Sequence, residues 1–292
     1  MHIIFKKIQE NKTMGIKNFL QKFYPIPTRS FYAEMARLRA EIAELSRIVK
    51  TETEQQHSEI SVLRNQLSAV EKSAMEAIWA NVFHDTTSKS DWLTDKVFWP
   101  GRAALGYQAM YVTYRILNEI NPKRILELGL GQSTKLISQY VRATPDVTHY
   151  VVENNQDWIN FFSAAYPLPP STKIEKLDWK IIPYKDGEVR IFDGFTKRFQ
   201  EEKFDFIMVD APLGADMKQY SRVDVLEIIP ESLSENFVIL IDDTDRLGEQ
   251  NTISEIRKKL ESNGIKFCEG WYNGAKNSTV ICSQALGFLT TM

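Results

Sequence analysis

Arg124-Ile125-Leu126-Glu127-Leu128-Gly129-Leu130-Gly131-Gln132-Ser133-Thr134 changes character twice. The run from Arg124 to Leu128 is mostly apolar and short, as a buried strand requires. Two glycines then permit a tight turn whose backbone approaches a ligand, and Ser133 or Thr134 can cap a helix that starts there. Working outward, the same alternation recurs. Helical patterns over 103–117, 134–141, 158–166, 223–229 and 252–262 are interleaved with apolar runs at 124–128, 149–152, 204–209 and 237–241. Runs that are apolar throughout, rather than at every second residue, belong to a parallel sheet covered on both faces. Only the last two runs, 265–269 and 279–282, separated by the turn-rich 271–276, read as an antiparallel pair. The fold class is α/β: a doubly wound sheet, mostly parallel with an antiparallel last strand.

Composition is compatible with that. The chain has 292 residues, 43% of them hydrophobic, with 36 Lys and Arg against 38 Asp and Glu. At this length roughly 75% of the unfolded surface can be buried, so neither disulfides nor a metal is needed for folding alone. The near-zero net charge of -2 argues against nucleic acid as a partner bound through bulk positive charge. No apolar run is long enough to span a membrane, and the N-terminus lacks the apolar stretch and cleavage site of a secretory signal. Cys268 and Cys282, without CxxC spacing, read as small buried hydrophobes on neighbouring strands of a protein in a reducing, cytoplasmic compartment.

Upstream, three segments are distinguished. Residues 1–30 form a basic amphipathic segment, with contact to a membrane surface through residues 1–24 as one reading and packing on the protein as the other. Residues 31–84 lack Gly and Pro, and Met35, Leu38, Ile42, Leu45 and Val49 follow the spacing of a coiled coil. The pattern resumes out of phase as Ile60, Leu63, Leu67 and Val70, which is either a stutter in a continuous coiled coil or the bend of a helical hairpin. Such a stripe needs a partner surface, so self-association through residues 31–84 is expected. Residues 85–292 are the α/β domain.

Three readings compete for the glycine turn. A phosphate-binding P-loop needs Lys-Ser/Thr after its last Gly, whereas Ser133-Thr134 precede Lys135. A dinucleotide fingerprint needs a third Gly where Thr134 stands. The third is that Glu127-x-Gly129-x-Gly131 with Ser133 resembles motif I of the class I S-adenosylmethionine-dependent methyltransferases, whose Rossmann-like sheets have this alternation and an antiparallel last pair. The resemblance covers roughly residues 98–283. It implies S-adenosylmethionine as cofactor, its amino acid part held by Glu127, Gly129, Gly131, Gln132 and Ser133. The second apolar run ends in Glu153, about 20 residues further on, where an acid can accept both ribose hydroxyls of a nucleoside, and Asn154 can add a contact. Residues 173–195 are expected to carry the third strand and the adenine contacts, with Asp178, Asp186 and Asp193 as open alternatives.

The runs at 204–209 and 237–241 end in Asp210 and in Asp242-Asp243. Neighbouring strands lie about 4.8 Å apart, so these carboxylates should meet, and like charges so placed repel unless a cation or proton intervenes. The arrangement is similar to that of the magnesium-dependent catechol-type O-methyltransferases. That implies a divalent cation, magnesium or manganese, on Asp210, Asp242 and Asp243, with Asp243 standing where the family has an amide. The metal-free alternative makes one of these aspartates a general base, while Arg222 or Arg246 positions the substrate. Asp210-Ala211-Pro212 with Tyr220-Ser221-Arg222 also resembles methyltransferases of sugar and polysaccharide biosynthesis. The expected function is therefore methyl transfer to a hydroxyl of a glycan or other small molecule. The alternative is a coiled-coil scaffold whose sheet binds a nucleoside without turnover.

Overall fold

The computed structural model describes residues 28–100 and 104–291; of the basic segment expected over residues 1–30, residues 1–27 lie outside them and the remainder opens the first helix. The first element, α1 (Thr28–Thr87), is one unbroken helix. It therefore resolves the open alternative against a hairpin. Abundant Ala, Glu, Leu and Arg favour it intrinsically, and the i,i+4 pairs Arg37–Glu41 and Lys50–Glu54 with the i,i+3 pair Arg47–Glu44 add a few tenths of a kcal/mol each. The chain divides into two compact units, residues 1–68 and 69–292. In the first, the apolar stripe is exposed to solvent, with Ile42 at 62% and Leu67 at 68%.

From Ala69 the helix belongs to the α/β unit. Phe83 is fully buried against Phe98 and Tyr107, with ring centroids 5.8 Å away in each case, and the Trp79 indole donates to the Asn273 carbonyl at 2.7 Å. The Glu76 carboxylate accepts from the Tyr107 amide at 2.7 Å, so α1 caps the first turn of α2 (Tyr107–Ile120) with a negative charge where the helix dipole favours one.

The remaining elements are β1 (Arg124–Leu128), α3 (Gln132–Ala143), β2 (Thr148–Glu153), α4 (Gln156–Ala165), β3 (Thr172–Lys176), β4 (Trp179–Tyr184), β5 (Gly187–Phe192), α5 (Phe195–Phe199), β6 (Phe204–Val209), β7 (Leu233–Ile241), α6 (Leu247–Ser262), β8 (Phe267–Tyr272) and β9 (Ser278–Ser283). Seven strands form one sheet in the order β3-β2-β1-β6-β7-β9-β8, parallel from β3 through β7. Only β9 runs antiparallel to its neighbours, as expected for the last pair. The core lies on both faces of this Rossmann-like sheet. One layer packs Met110, Ile116, Leu136 and Tyr140 on Ile125, Phe206 and Val238. The other packs Phe195, Phe199, Ile229 and Ile256 on Leu126, Ile207 and Ile239. Burial on both faces explains why the strands read as unbroken apolar runs.

Three features differ from the sequence expectation. The stretch after β3 continues as a separate two-stranded hairpin, β4 with β5, whose first strand is largely exposed and so carries no apolar signature. The helical pattern at 223–229 is a short 3-10 turn, Val223–Glu227. A further 3-10 segment, Gln284–Thr290, closes the chain against β8 and β9. Cys268 and Cys282 sit on neighbouring strands in direct register, and burial pushes the Cys282 thiol up to about 12. Among the described residues no helix is long and apolar enough to cross a membrane.

The 3-10 turn contains a buried acid with a consequence for stability. Asp224 is 2% exposed; its Oδ1 accepts from the Phe192 amide at 2.7 Å, while Oδ2 has no partner. Burial pushes its pKa up to about 7, the Phe192 amide opposing. The folded state thus holds a proton that the unfolded chain releases near pH 4, and stability from this group is lost as pH rises from about 4 to 7. Asp224→Asn keeps the acceptor for Phe192 and removes the titration. Its melting temperature relative to wild type should climb between about pH 4 and 7 and level off above, with a gain of up to ~4 kcal/mol, three decades at about 1.4 kcal/mol each. A pH-independent difference in calorimetric scans would contradict this.

Candidate active site

Chain order turns back at β1: β2 and β3 extend the sheet to one side, and β6 and β7 to the other. The crevice beyond the carboxyl ends of β1 and β6 is therefore the place where an open sheet of this kind receives ligands. A cavity of about 500 Å³ lies there, within the range of small-molecule sites. Its lining comes from the glycine turn, the end of β2 and the end of β6, including Gly129, Gly131, Gln132, Ser133, Glu153, Asn154 and Asp210. Backbone pairing fixes these ends: the amides of Gly129, Asp210 and Asp242 donate to Val152, Leu128 and Val209 at 2.9, 3.0 and 3.1 Å.

The two glycines serve different needs. Gly129 has φ +108°, and a Cβ there would lie 3.2 Å from that of Ala211, so both conformation and space demand glycine. Gly131 has extended φ of -169° and nothing within 4 Å of an added Cβ. Neither backbone conformation nor packing requires it to lack a side chain. What its bare backbone provides is room at the cavity wall, as close approach of a ligand requires. The Gly131 amide donates to Thr134 Oγ1 at 3.0 Å, tying the turn to α3.

Glu153 is held in place by its own loop. One carboxylate oxygen accepts from the amides of Asn154 and Asn155, both at 2.8 Å, and the other from Leu130 at 3.3 Å. Carboxylate oxygens keep further lone pairs for ligand hydroxyls. The Asn154 amide, oriented to donate to Glu153, accepts from the Trp179 indole at 3.2 Å. Glu127 does not line the cavity. It is fully buried beneath the turn, where its carboxylate meets His149 Nε2 at 2.9 Å, while the other His149 nitrogen lies 3.3 Å from Thr172 Oγ1. His149, on an interior strand position, thus has a structural role.

At the other end, Asp210, Asp242 and Asp243 meet as expected, with carboxylate oxygens all within 4.8 Å of one another. Of the three, Asp210 lines the cavity, while Asp242 and Asp243 are buried behind it. Arg222 and Arg246, read as substrate contacts, instead engage this cluster. Arg222 Nη2 lies 3.1 Å from Asp210 and 2.7 Å from Asp243, and Arg246 Nη1 lies 2.9 Å from Asp243. Two members were missed. Lys276 Nζ is 3.6 Å from Asp242 and 3.5 Å from Asp243, and buried Glu249 lies 3.7 Å from Arg222 and 3.5 Å from Arg246. Lys276 sits in the β8–β9 turn and Glu249 in the first turn of α6, so nothing local in the sequence connects them to the aspartates.

Electrostatics separate the three acids. Burial pushes Asp210 up to about 7, with Arg222 opposing and Asp242 adding. Asp242 is raised by burial, against Lys276. Asp243 is lowered: burial alone would raise it, but Arg222, Lys276 and Arg246 together outweigh that. A group titrating near neutrality beside a cavity suits proton transfer, while its ionised neighbour supports the cations. A divalent cation does not fit this set. Each of the three carboxylates already has a guanidinium or ammonium within 3.6 Å, and an ion ligated at about 2.0–2.6 Å would be forced against those charges.

Aromatic residues complete the wall. Trp99 and Trp158 line the cavity with Leu105, Leu130 and Leu213, and the Trp158 indole is aimed by a 2.7 Å hydrogen bond to the Leu130 carbonyl. Trp92 instead stacks on Tyr114, and Tyr107 packs on Phe83. Asp178 and Asp193 pair with Lys176 and Lys180, and neither these nor Asp186 lines the cavity.

No family model matches the sequence, and no curated protein matches it. Solved structures do. An O-methyltransferase from Bacillus cereus in complex with SAH is 14% identical over 72% of this chain and 91% of that one, with a TM-score of 0.43. A methyltransferase from Podospora anserina bound to SAH is 17% identical over 70% and 87%, with a TM-score of 0.43. An O-methyltransferase of tomaymycin synthesis from Streptomyces achromogenes, in complex with SAM, is 13% identical over 72% and 89%, with a TM-score of 0.41.

Proposed function

We propose that this chain is an S-adenosylmethionine-dependent O-methyltransferase acting on a hydroxyl of a small molecule or glycan. The observation that carries the reading is one cavity at the sheet's reversal point that joins a bare glycine wall, a carboxylate preset for ribose hydroxyls and an aspartate titrating near neutrality. When bound, the cofactor would supply a methyl group already activated on a sulfonium sulfur. The residues then have simple tasks. Gly129 and Gly131 leave room for the cofactor's amino acid part, Gln132 and Ser133 offer polar contacts to it, and Glu153 accepts from the ribose. Trp99 and Trp158 present apolar faces and exclude water. Asp210 would take the proton of the acceptor hydroxyl as that oxygen accepts the methyl group. The protein's contribution is chiefly orientation and that one proton.

Calorimetric titration with S-adenosylhomocysteine tests this, with NADH as control. Micromolar affinity for the former supports the reading. No binding of it, or preference for NADH, overturns it.

The first unit adds an assembly role. We infer that the exposed stripe from Met35 to Val70 pairs with a second copy in parallel and in register, an alignment that sets the flanking charges in attraction. Glu34 then faces Arg39 of the second copy and Glu59 faces Arg64, with no like charges opposed. In the full chain, Ile42→Glu with Leu63→Glu, both at exposed positions, should halve the mass seen by light scattering while leaving the melting temperature of the α/β unit unchanged. An unchanged mass would exclude the stripe as the interface.

A further inference from the structure

We propose that the acidic cluster at the ends of β6 and β7 is held together by the chain's own cations in place of a metal ion. Asp210 therefore activates a lone acceptor hydroxyl, with no chelated pair of hydroxyls required. The inference rests on the O-methyltransferase reading for its substrate consequence and on the cluster's geometry for everything else.

The geometry is that of a closed ion-pair network. Arg222 is 3% exposed, and its two terminal nitrogens serve three aspartates: Nη2 bridges Asp210 and Asp243, and Nη1 donates to the Asp242 carbonyl at 2.9 Å. A guanidinium is planar and permanently charged, which suits it to tie two carboxylates at fixed positions. Arg222 also sits at φ +56°, a left-handed conformation that costs energy for a residue with a side chain and persists only where the surroundings hold it. Lys276 closes the far side against Asp242 and Asp243 and anchors itself on the Ala104 carbonyl at 3.1 Å. Ser278 Oγ donates to Asp242 at 2.8 Å, so that carboxylate is engaged on both oxygens.

Charge makes the same point. Asp210, Asp242, Asp243 and Glu249 face Arg222, Arg246 and Lys276, four potential negative charges against three positive ones. Without these cations, a cluster of this kind would need an ion. With them, a divalent ion would overcompensate the site and stand within about 6 Å of three like charges. The orphaned atoms agree: Glu249 Oε1 and Asp242 Oδ2 lack hydrogen bonds but lie 3.5 to 3.7 Å from guanidinium or ammonium groups. Their attractions are to fixed cations. The acceptor is then bound by the cavity wall and by Asp210 alone, which admits an isolated hydroxyl on a sugar or phenol as readily as a vicinal diol.

Manganese binding to the full-length protein, followed by electron paramagnetic resonance, is a direct test that does not depend on turnover. The wild type should bind no more tightly than about 10⁻³ M, the weak end of oxygen-ligand sites. Lys276→Gln, at a partly exposed position, removes one compensating charge and should raise manganese affinity by at least about tenfold. Asp243→Asn in that background should abolish the gain. Micromolar binding by the wild type that Asp243→Asn removes would overturn the proposal, as would a Lys276→Gln protein with no more affinity than its parent. Failure of S-adenosylhomocysteine to bind would sink the methyltransferase reading and leave the manganese result standing.

Discussion

Asp210→Asn should lower methyl transfer by about 10²–10⁴-fold while S-adenosylhomocysteine affinity changes by less than about threefold. The variant keeps an oxygen for Arg222, which lies 3.1 Å from Asp210 and is also held by Asp243 at 2.7 Å, so the network behind the cavity persists. What is lost is the one carboxylate of the cluster that reaches the cavity and titrates near neutrality. The pH profile gives a second readout. Asp210 acts in its ionised form, so the wild-type rate should rise with pH through about 7 and level off above it. The residual activity of the variant should lack that limb. Turnover that survives the substitution would remove Asp210 as the base. A protein that binds S-adenosylhomocysteine yet methylates no hydroxyl, before or after the change, would revive the non-catalytic scaffold.

The second large effect concerns the glycine wall. Gly131→Val should weaken S-adenosylhomocysteine binding by at least about 100-fold, near 2.7 kcal/mol, with the melting temperature within a few degrees of wild type. No atom lies within 4 Å of the added Cβ and the backbone there is extended, so the fold tolerates the side chain; the ligand would not. Gly129→Val is the contrasting case. Its positive φ and the 3.2 Å approach to Ala211 should cost about 1–3 kcal/mol of stability, and a binding loss there would be ambiguous. Equal affinities in wild type and Gly131→Val, by calorimetry, would place the cofactor elsewhere.

Much of this site was readable residue by residue because an open parallel sheet delivers whatever follows each strand to one edge. Gly129, Gly131, Gln132, Ser133, Glu153, Asn154 and Asp210 stand at strand ends, where that rule and the motif I resemblance both point, and all line one cavity. Glu127, implied only by the motif I resemblance, sits one residue inside the strand, where its side chain turns into the interior and toward His149. Trp99 and Trp158 could not be told from Trp92, Tyr107 and Trp271 as wall residues, since an exposed wall and a packed core draw on the same aromatic residues. The hairpin of β4 and β5 escaped for the opposite reason: its first strand is largely exposed and carries no apolar pattern to read.

Arg124 to Leu128 and Phe204 to Val209 form strands with the bounds their apolar runs announce, because burial on both faces leaves an unbroken local signature. Fold class, the antiparallel last pair and the residues at the strand ends follow from such local patterns. The state of the acids does not. Whether three aspartates await a metal or are already neutralised depends on Arg222 just before a 3-10 turn, Glu249 from α6 and Lys276 from a hairpin turn. Coulomb interactions act through space between segments far apart in the chain, and only folding sets the distances on which they depend.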